Sequence, residues 1–204
     1  ERLTALIEFY DGSSSKRNEA TTRLHLIDVM LKDCLKWEDS SLIAEEPHGR
    51  EFADYVLKRS RPLAILEAKK EGIYFDLAIG SKRTIYSLKT LCRDNREFKD
   101  AIEQVSGYCQ SRGVKIGIVS NGWQYVLFIA NRIDGVSPLE GNAFVFTSLV
   151  DVQESFKTFW NCMSPNGLES GYIEQELLGE SSERAPAKLS ASIFKYPGIK
   201  GRNL

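Results

Sequence analysis

Residues 62–68, Pro-Leu-Ala-Ile-Leu-Glu-Ala, are apolar almost without interruption. Successive side chains of a strand point to opposite faces of a sheet. A strand that is apolar at both odd and even positions must therefore be buried on both faces, as in sheets covered by helices on either side. Together with the order of elements around it, helix, three strands, helix, strands, this segment predicts an α/β fold with a central mixed sheet flanked by helices.

The rest of the chain can be read around that strand. Leu3, Leu6, Ile7 and Tyr10 share one side of a helix over residues 1–10. A second helical stripe, from Glu19 to Trp37, carries Leu24, Ile27, Met30, Leu31, Cys34 and Leu35. Strands are expected at 42–46, 52–57 and 63–68, with Pro47-His48-Gly49 and Arg59-Ser60-Arg61-Pro62 as the turns between them. Residues 71–93 read as a loop with one helical turn. A helix over 94–112 follows, with Phe98, Ile102, Val105 and Cys109 inward and Gly113 as its stop. VKIGIVS and YVLFIA form strands around Asn121-Gly122, a hairpin signal, and AFVFTS is a third strand after Asp134-Gly135. Val152, Phe156, Phe159, Trp160 and Met163 recur at helical spacing, and a last helix is expected over 168–178. The stretch from Gly179 onward is expected to be a linker.

Composition excludes several classes. With 204 residues, 42% of them hydrophobic and 27% charged, the chain can bury a sizeable core and is not wholly disordered. No run of about 18 apolar residues occurs, which argues against a membrane helix, and no basic-then-apolar leader is visible. Glu1 in place of Met suggests a piece of a longer protein. Cys34, Cys92, Cys109 and Cys162 are 58, 17 and 53 residues apart, which fits neither a metal knuckle nor a disulfide framework. Reduced thiols and a cytoplasmic location are expected.

The net charge of -1 conceals an asymmetry. Residues 1–54 sum to -5, residues 55–100 to +5, and the remainder to -1. A basic middle segment is compatible with a polyanionic partner such as DNA; a solvated, salt-bridged face would give the same count.

The chemistry concentrates at the end of the apolar strand. Glu67 and Lys69 are charged, two residues apart, and so on one face. Charge in such a place is costly unless it is paired or bound to a metal. Asp54, on the neighbouring strand, could reach the same point across a hairpin. Two close carboxylates are best retained in charged form by a divalent cation between them, and oxygen donors favour Mg2+ or Mn2+ over Zn2+. Such an ion polarises a phosphoryl oxygen and acidifies bound water, while a lysine stabilises developing negative charge. The combination suits phosphodiester hydrolysis. A structural Glu–Lys or Asp–Lys pair would use the same residues.

Asp54, twelve intervening residues and then Glu67-Ala68-Lys69 resembles the PD-(D/E)XK nuclease core, with Ala53-Asp54 in place of Pro-Asp. Glu19 matches the extra acidic residue that many such nucleases carry on the preceding helix. Gln104-Val-Ser-Gly-Tyr108 is similar to the QxxxY element of the nuclease domain in type I restriction subunits, and GIVSNGWQYVLF resembles the strand pair that follows it there. The resemblance covers about residues 19–130. It implies a restriction-endonuclease-like fold over 1–178, with 179–204 leading toward a following domain. It implies a Mg2+-dependent (or Mn2+-dependent) DNA endonuclease similar also to Mrr-like type IV enzymes, acting in restriction or antiphage defence.

By the same resemblance, Asp54, Glu67 and the main-chain carbonyl of Ala68 are the metal ligands and Lys69 is the catalytic lysine. Glu19 supports the metal or a second one, and Gln104 and Tyr108 contact the site or the DNA beside it. DNA is the implied partner, with a fused NTPase, helicase or sensor module and self-association for double-strand cleavage. A nuclease fold that grips nucleic acid or serves assembly without cutting is the alternative. His25 and His48 stand without a nucleophile nearby and suit surface or capping roles. Cys109 suits the core, and Trp123 and Tyr125 suit a core or sheet edge. No phosphate-loop pattern occurs.

Overall fold

The computed structural model describes residues 1–11, 26–48, 51–69, 75 and 84–179, the side chains at 9–11, 44–48 and 51–52 excepted. In it Pro62–Ala68 forms β3, and Leu63 to Ala68 are all buried. On one side β3 pairs antiparallel with β2 (Glu51–Lys58), which pairs with β1 (Leu42–His48). On the other it runs parallel to β5 (Ile116–Ser120). Next come β6 (Tyr125–Ile129) and β7 (Asn142–Phe146), and β4 (Ile85–Ser87) closes the far edge. Only the β3–β5 pair is parallel in this seven-stranded sheet. The chain is thus α/β with a mixed sheet flanked by helices, as the order of elements predicted.

Alternation along β3 divides the core in two. Ala64, Leu66 and Ala68 face one layer with Leu3, Leu6, Ile27, Met30, Leu31 and Phe159. That layer is built from α1 (Arg2–Asp11), a π-helical segment (Met30–Cys34) and the helices of residues 149–179. Ile65 faces the other, with Leu88 and Leu91 of α2 (Leu88–Cys92) and Phe98, Ile102 and Val105 of α3 (Arg96–Arg112). These two helices lie in the crossover that a parallel pair demands. Asn95 caps α3 by accepting from the Phe98 amide at 2.9 Å. Gly113, at φ 65°, ends it in the left-handed conformation that glycine adopts without steric cost.

Several elements differ from the sequence reading. Residues 85–87, taken as loop, form the edge strand β4 against β7; three residues are too few for periodicity to register. The stripe through Val152 and Met163 is two helices, α4 (Leu149–Glu154) and α5 (Phe156–Met163), with a break at Ser155. The last expected helix is also two, α6 (Pro165–Ser170) and α7 (Tyr172–Gly179), split by Gly171 at φ 73°. Gly167 permits close packing of α6: a Cβ there would lie 2.1 Å from the Asn161 carbonyl oxygen. Of the helix expected over 19–37, residues 12–25 lie outside the described set, while Ile27, Met30, Leu31, Cys34 and Leu35 are buried as the stripe required. The expected linker lies outside it from residue 180. All four cysteines are free and buried. No helix among the described residues is long and apolar enough to cross a membrane.

Candidate active site

The main chain at the end of β3 is held by its parallel neighbour. Ala68 lies opposite Ser120, and the Lys69 amide donates to the Ser120 carbonyl at 2.7 Å. Glu67 shares the parity of Ile65 and so projects toward α3. It is 4% exposed. Lys69, two residues on, follows to the same side, and its Nζ donates to Glu67 Oε1 at 2.8 Å.

Asp54 reaches this point from β2. The paired register of β2 and β3 runs from Tyr55 opposite Leu66 to Lys58 opposite Pro62. Just past Tyr55, Asp54 Oδ2 accepts from the Ala68 amide at 2.8 Å. A side-chain carboxylate thus satisfies a backbone donor at the strand end, and Asp54 is tied directly to the residue between Glu67 and Lys69.

From above, α3 completes the constellation. Gln104 and Tyr108 are four residues apart and so adjacent on the helix surface. Lys69 Nζ donates to Gln104 Oε1 at 3.0 Å, and Gln104 Nε2 donates to Tyr108 Oη at 3.1 Å. The Tyr108 bond and the Lys69 bond define which end of the Gln104 amide faces the ammonium. Glu67, Lys69, Gln104 and Tyr108 thereby form one continuous hydrogen-bonded chain, buried at Glu67 and Tyr108 and open at Gln104. The Lys69 side chain keeps 23% exposure against 5% for Glu67, so the ammonium is the more accessible group.

Of the six candidate side chains, five converge: Asp54, Glu67, Lys69, Gln104 and Tyr108. The sixth, Glu19, lies outside the described residues. Among those described, no group of three or more His, Cys, Asp or Glu could hold a metal ion. Asp54 and Glu67 nevertheless fit a hard cation by their chemistry. Both are oxygen donors, they set two negative charges against the single ammonium of Lys69, and Mg2+ characteristically takes only one or two carboxylates and keeps several waters. His25 lies outside the described residues, as does the side chain of His48. Cys109 is core: its thiol is buried, donates to the Ile116 carbonyl at 3.4 Å, and is pushed up to about 12 by burial. Tyr125 is fully buried and Trp123 packs partly buried against the core.

A buried amide network adjoins the site that the sequence showed only in part. Asn121 Oδ1 accepts from the Trp123 and Gln124 amides, closing the turn read from Asn-Gly. Gln124 then binds Phe75 on both main-chain atoms, accepting from its N–H at 2.8 Å and donating to its carbonyl at 3.1 Å. Phe75 packs on Phe98, ring centroids 5.0 Å apart. The chain leaving Lys69 is thus anchored at residue 75. Gln at the mouth of a buried strand was the available signal.

Comparison with family models, curated proteins and solved structures finds no match for this chain.

Proposed function

We propose that this protein is a Mg2+-dependent endonuclease that hydrolyses DNA phosphodiester bonds, as the resemblance to the PD-(D/E)XK nucleases implies. The observation that carries the reading is the chain Glu67–Lys69–Gln104–Tyr108, with Asp54 bound to the Ala68 amide beside it. Asp54 and Glu67 would hold the ion, with the Ala68 carbonyl as a third protein donor. When bound, the ion supplies Lewis acidity toward a phosphoryl oxygen and a more acidic water.

The protein's own groups do the remaining work. Lys69 places a cation where negative charge develops on the phosphate. Glu67 and Gln104 fix that ammonium from two directions, which reduces the reorganisation required during reaction. Tyr108 fixes the Gln104 amide. One such site acts on one strand, so a double-strand break calls for two copies or two events. A role in restriction or antiphage defence, with a fused or partner NTPase, helicase or sensor module, belongs to the same proposal.

Asp54→Asn separates chemistry from folding, because the amide oxygen still accepts from Ala68 while the charge is lost. With plasmid DNA and Mg2+, wild type should nick and linearise, chelation should stop it, and Asp54→Asn should be inactive with an unchanged melting temperature. Cleavage by Asp54→Asn at the wild-type rate, or wild-type cleavage in excess chelator, would sink the reading. DNA binding without cleavage by wild type would favour a non-cutting module.

A further inference from the structure

Apart from Lys69, the cations of the basic segment noted in the sequence lie outside the hydrogen-bonded chain of this site. Three of its cations, Lys58, Arg59 and Arg61, fall within four residues at the opposite end of the hairpin. Five strand steps separate Glu67 from Pro62, about 17 Å at roughly 3.4 Å per residue. There Lys58 and Arg59 border an open cavity of about 470 Å3, lined also by Lys36, Glu38, Ser40, Ser41, Ser60 and Pro165. That volume lies within the range of small-molecule sites, which is roughly 300–1,000 Å3.

The walls are set by local backbone features. The register of β2 and β3 shifts between Leu57 and Lys58, and such irregularities re-aim side chains. Lys36 is the one non-glycine residue with positive φ among those described, at 66°, and its Nζ donates to the Asp33 carbonyl at 2.7 Å. One of its three donors is thus used. Lys58 is half-buried, and among the described residues no carboxylate pairs with it. An ammonium with no carboxylate partner among the described residues is available to an incoming anion. Arg59 pairs with Glu169 at 3.2 Å, both about half exposed, an arrangement weak enough to be exchanged. Glu38 is the one carboxylate on the wall.

We infer that this groove is a second ligand site, which takes a phosphate ester through Lys36, Lys58, Arg59 and the hydroxyls of Ser40, Ser41 and Ser60. The combination of cations and hydroxyls matches phosphate oxygens. The lining offers no aromatic surface on which a base could stack, so recognition is of phosphate and sugar without regard to base. Two sources share that chemistry, the backbone of a nucleic acid and a free nucleotide. The site stands independently of any cleavage at Asp54 and Glu67.

The test is binding by the full 204-residue chain in chelator, followed by amide NMR, with pyrophosphate and with a short oligothymidylate as probes. Saturable shifts at Ser40, Ser41 and Ser60 are expected with pyrophosphate. Lys58→Gln should weaken binding about tenfold, the worth of one charge-assisted hydrogen bond, and Lys58→Arg should restore it. Ser60→Glu, at an exposed turn position, should abolish it without unfolding risk. Lys69→Ala should bind as wild type. If the oligonucleotide also shifts these amides, and Lys58→Gln lowers its salt slope by about 0.7, the backbone is the source; shifts with pyrophosphate alone restrict the site to small free phosphates, nucleotides among them. Absence of saturable shifts at these serines with either probe, or equal affinity of wild type, Lys58→Gln and Ser60→Glu, overturns the proposal.

Discussion

The β2–β3 hairpin carries charge at both ends, and the ends treat it in opposite ways. At the open end Lys69 donates to Glu67 and Gln104, and Asp54 accepts from the amide of Ala68, between Glu67 and Lys69, all within 3.0 Å and under the cover of α3. At the turn end Lys58 and Arg59 line an open groove, and among the described residues Arg59 pairs with the exposed Glu169. Burial makes the difference. A carboxylate 4% exposed cannot be left to water, so each neighbour must be positioned around it. A solvated guanidinium places no such demand on its surroundings. Preorganisation of the kind that hydrolysis needs is therefore found at one end, and capture of a mobile anion suits the other.

The largest effect that could break this contrast is at Lys69. Lys69→Ala should lower cleavage by at least tenfold, about 1.4 kcal/mol of transition-state stabilisation, while DNA still binds. It should also cost about 2 kcal/mol of stability, because Glu67 is left buried without the ammonium that binds it. Glu67→Gln removes the carboxylate and should be close to wild type in stability. The double variant Glu67→Gln/Lys69→Ala should then recover most of the loss, measured by urea denaturation in chelator. If the double variant is no more stable than Lys69→Ala alone, the buried charge is not the cause.

The contrast was only half legible in the sequence. Alternation and an apolar run were enough to place β1, β2, β3 and the strands around Asn121; β3 past Pro62, β5 and β6 are buried at every position, and β2 at Ala53 and from Tyr55 to Leu57. The same parity argument put Glu67 and Lys69 together, and helical spacing put Gln104 beside Tyr108. What linked the two pairs was a crossover helix packed on the Ile65 face, a tertiary fact that the family resemblance supplied and periodicity could not. The Asp54–Ala68 bond was invisible for a different reason: a side chain bonded to an amide leaves no compositional trace. Gln124 and Phe75 escaped likewise, since Phe75 is held through its main chain. The turn-end groove was legible as a charge excess but not as a place.

Helix α3 repeats the contrast in miniature, and it sharpens the argument through Gln104. That side chain is exposed yet bonded to both Lys69 and Tyr108. Gln104→Ala should slow cleavage about tenfold, the loss expected when one charge-assisted bond no longer orients the ammonium, with little change in melting temperature. Tyr108→Phe should act in the same direction but less, since Lys69 keeps its direct partner. Equal loss of rate and of stability in Gln104→Ala would make it a packing residue.

In the core layer shared by α2 and α3, burial pushes the Cys109 thiol up to about 12 and that of Cys92 to about 11, from 9.0 in each case. An unfolded chain loses these protons above pH 9, whereas the folded one retains them. Stability is therefore unaffected below pH 9 and falls as pH rises toward 11–12. At pH 10 Cys109 alone should account for about 1 kcal/mol, and Cys109→Ala should flatten that part of the profile. An unchanged alkaline slope in Cys109→Ala would show that the loss arises elsewhere.

The smallest effect belongs to the turn end, and its smallness is the point. Arg59 and Glu169 meet at 3.2 Å with side chains 45% and 43% exposed. Charges so placed are screened by salt over about 8 Å and spend side-chain entropy to stay together, so Glu169→Gln should change stability by less than about 0.5 kcal/mol. The same substitution releases Arg59 from its competitor and removes a negative charge near the groove, so pyrophosphate should bind more tightly. Stability unchanged with affinity raised is the signature of a solvated end whose cations are available to a ligand. A loss of about 2 kcal/mol in Glu169→Gln, comparable to that at Lys69, would mean that both ends of the hairpin hold their charges by packing, and the contrast between them would fail.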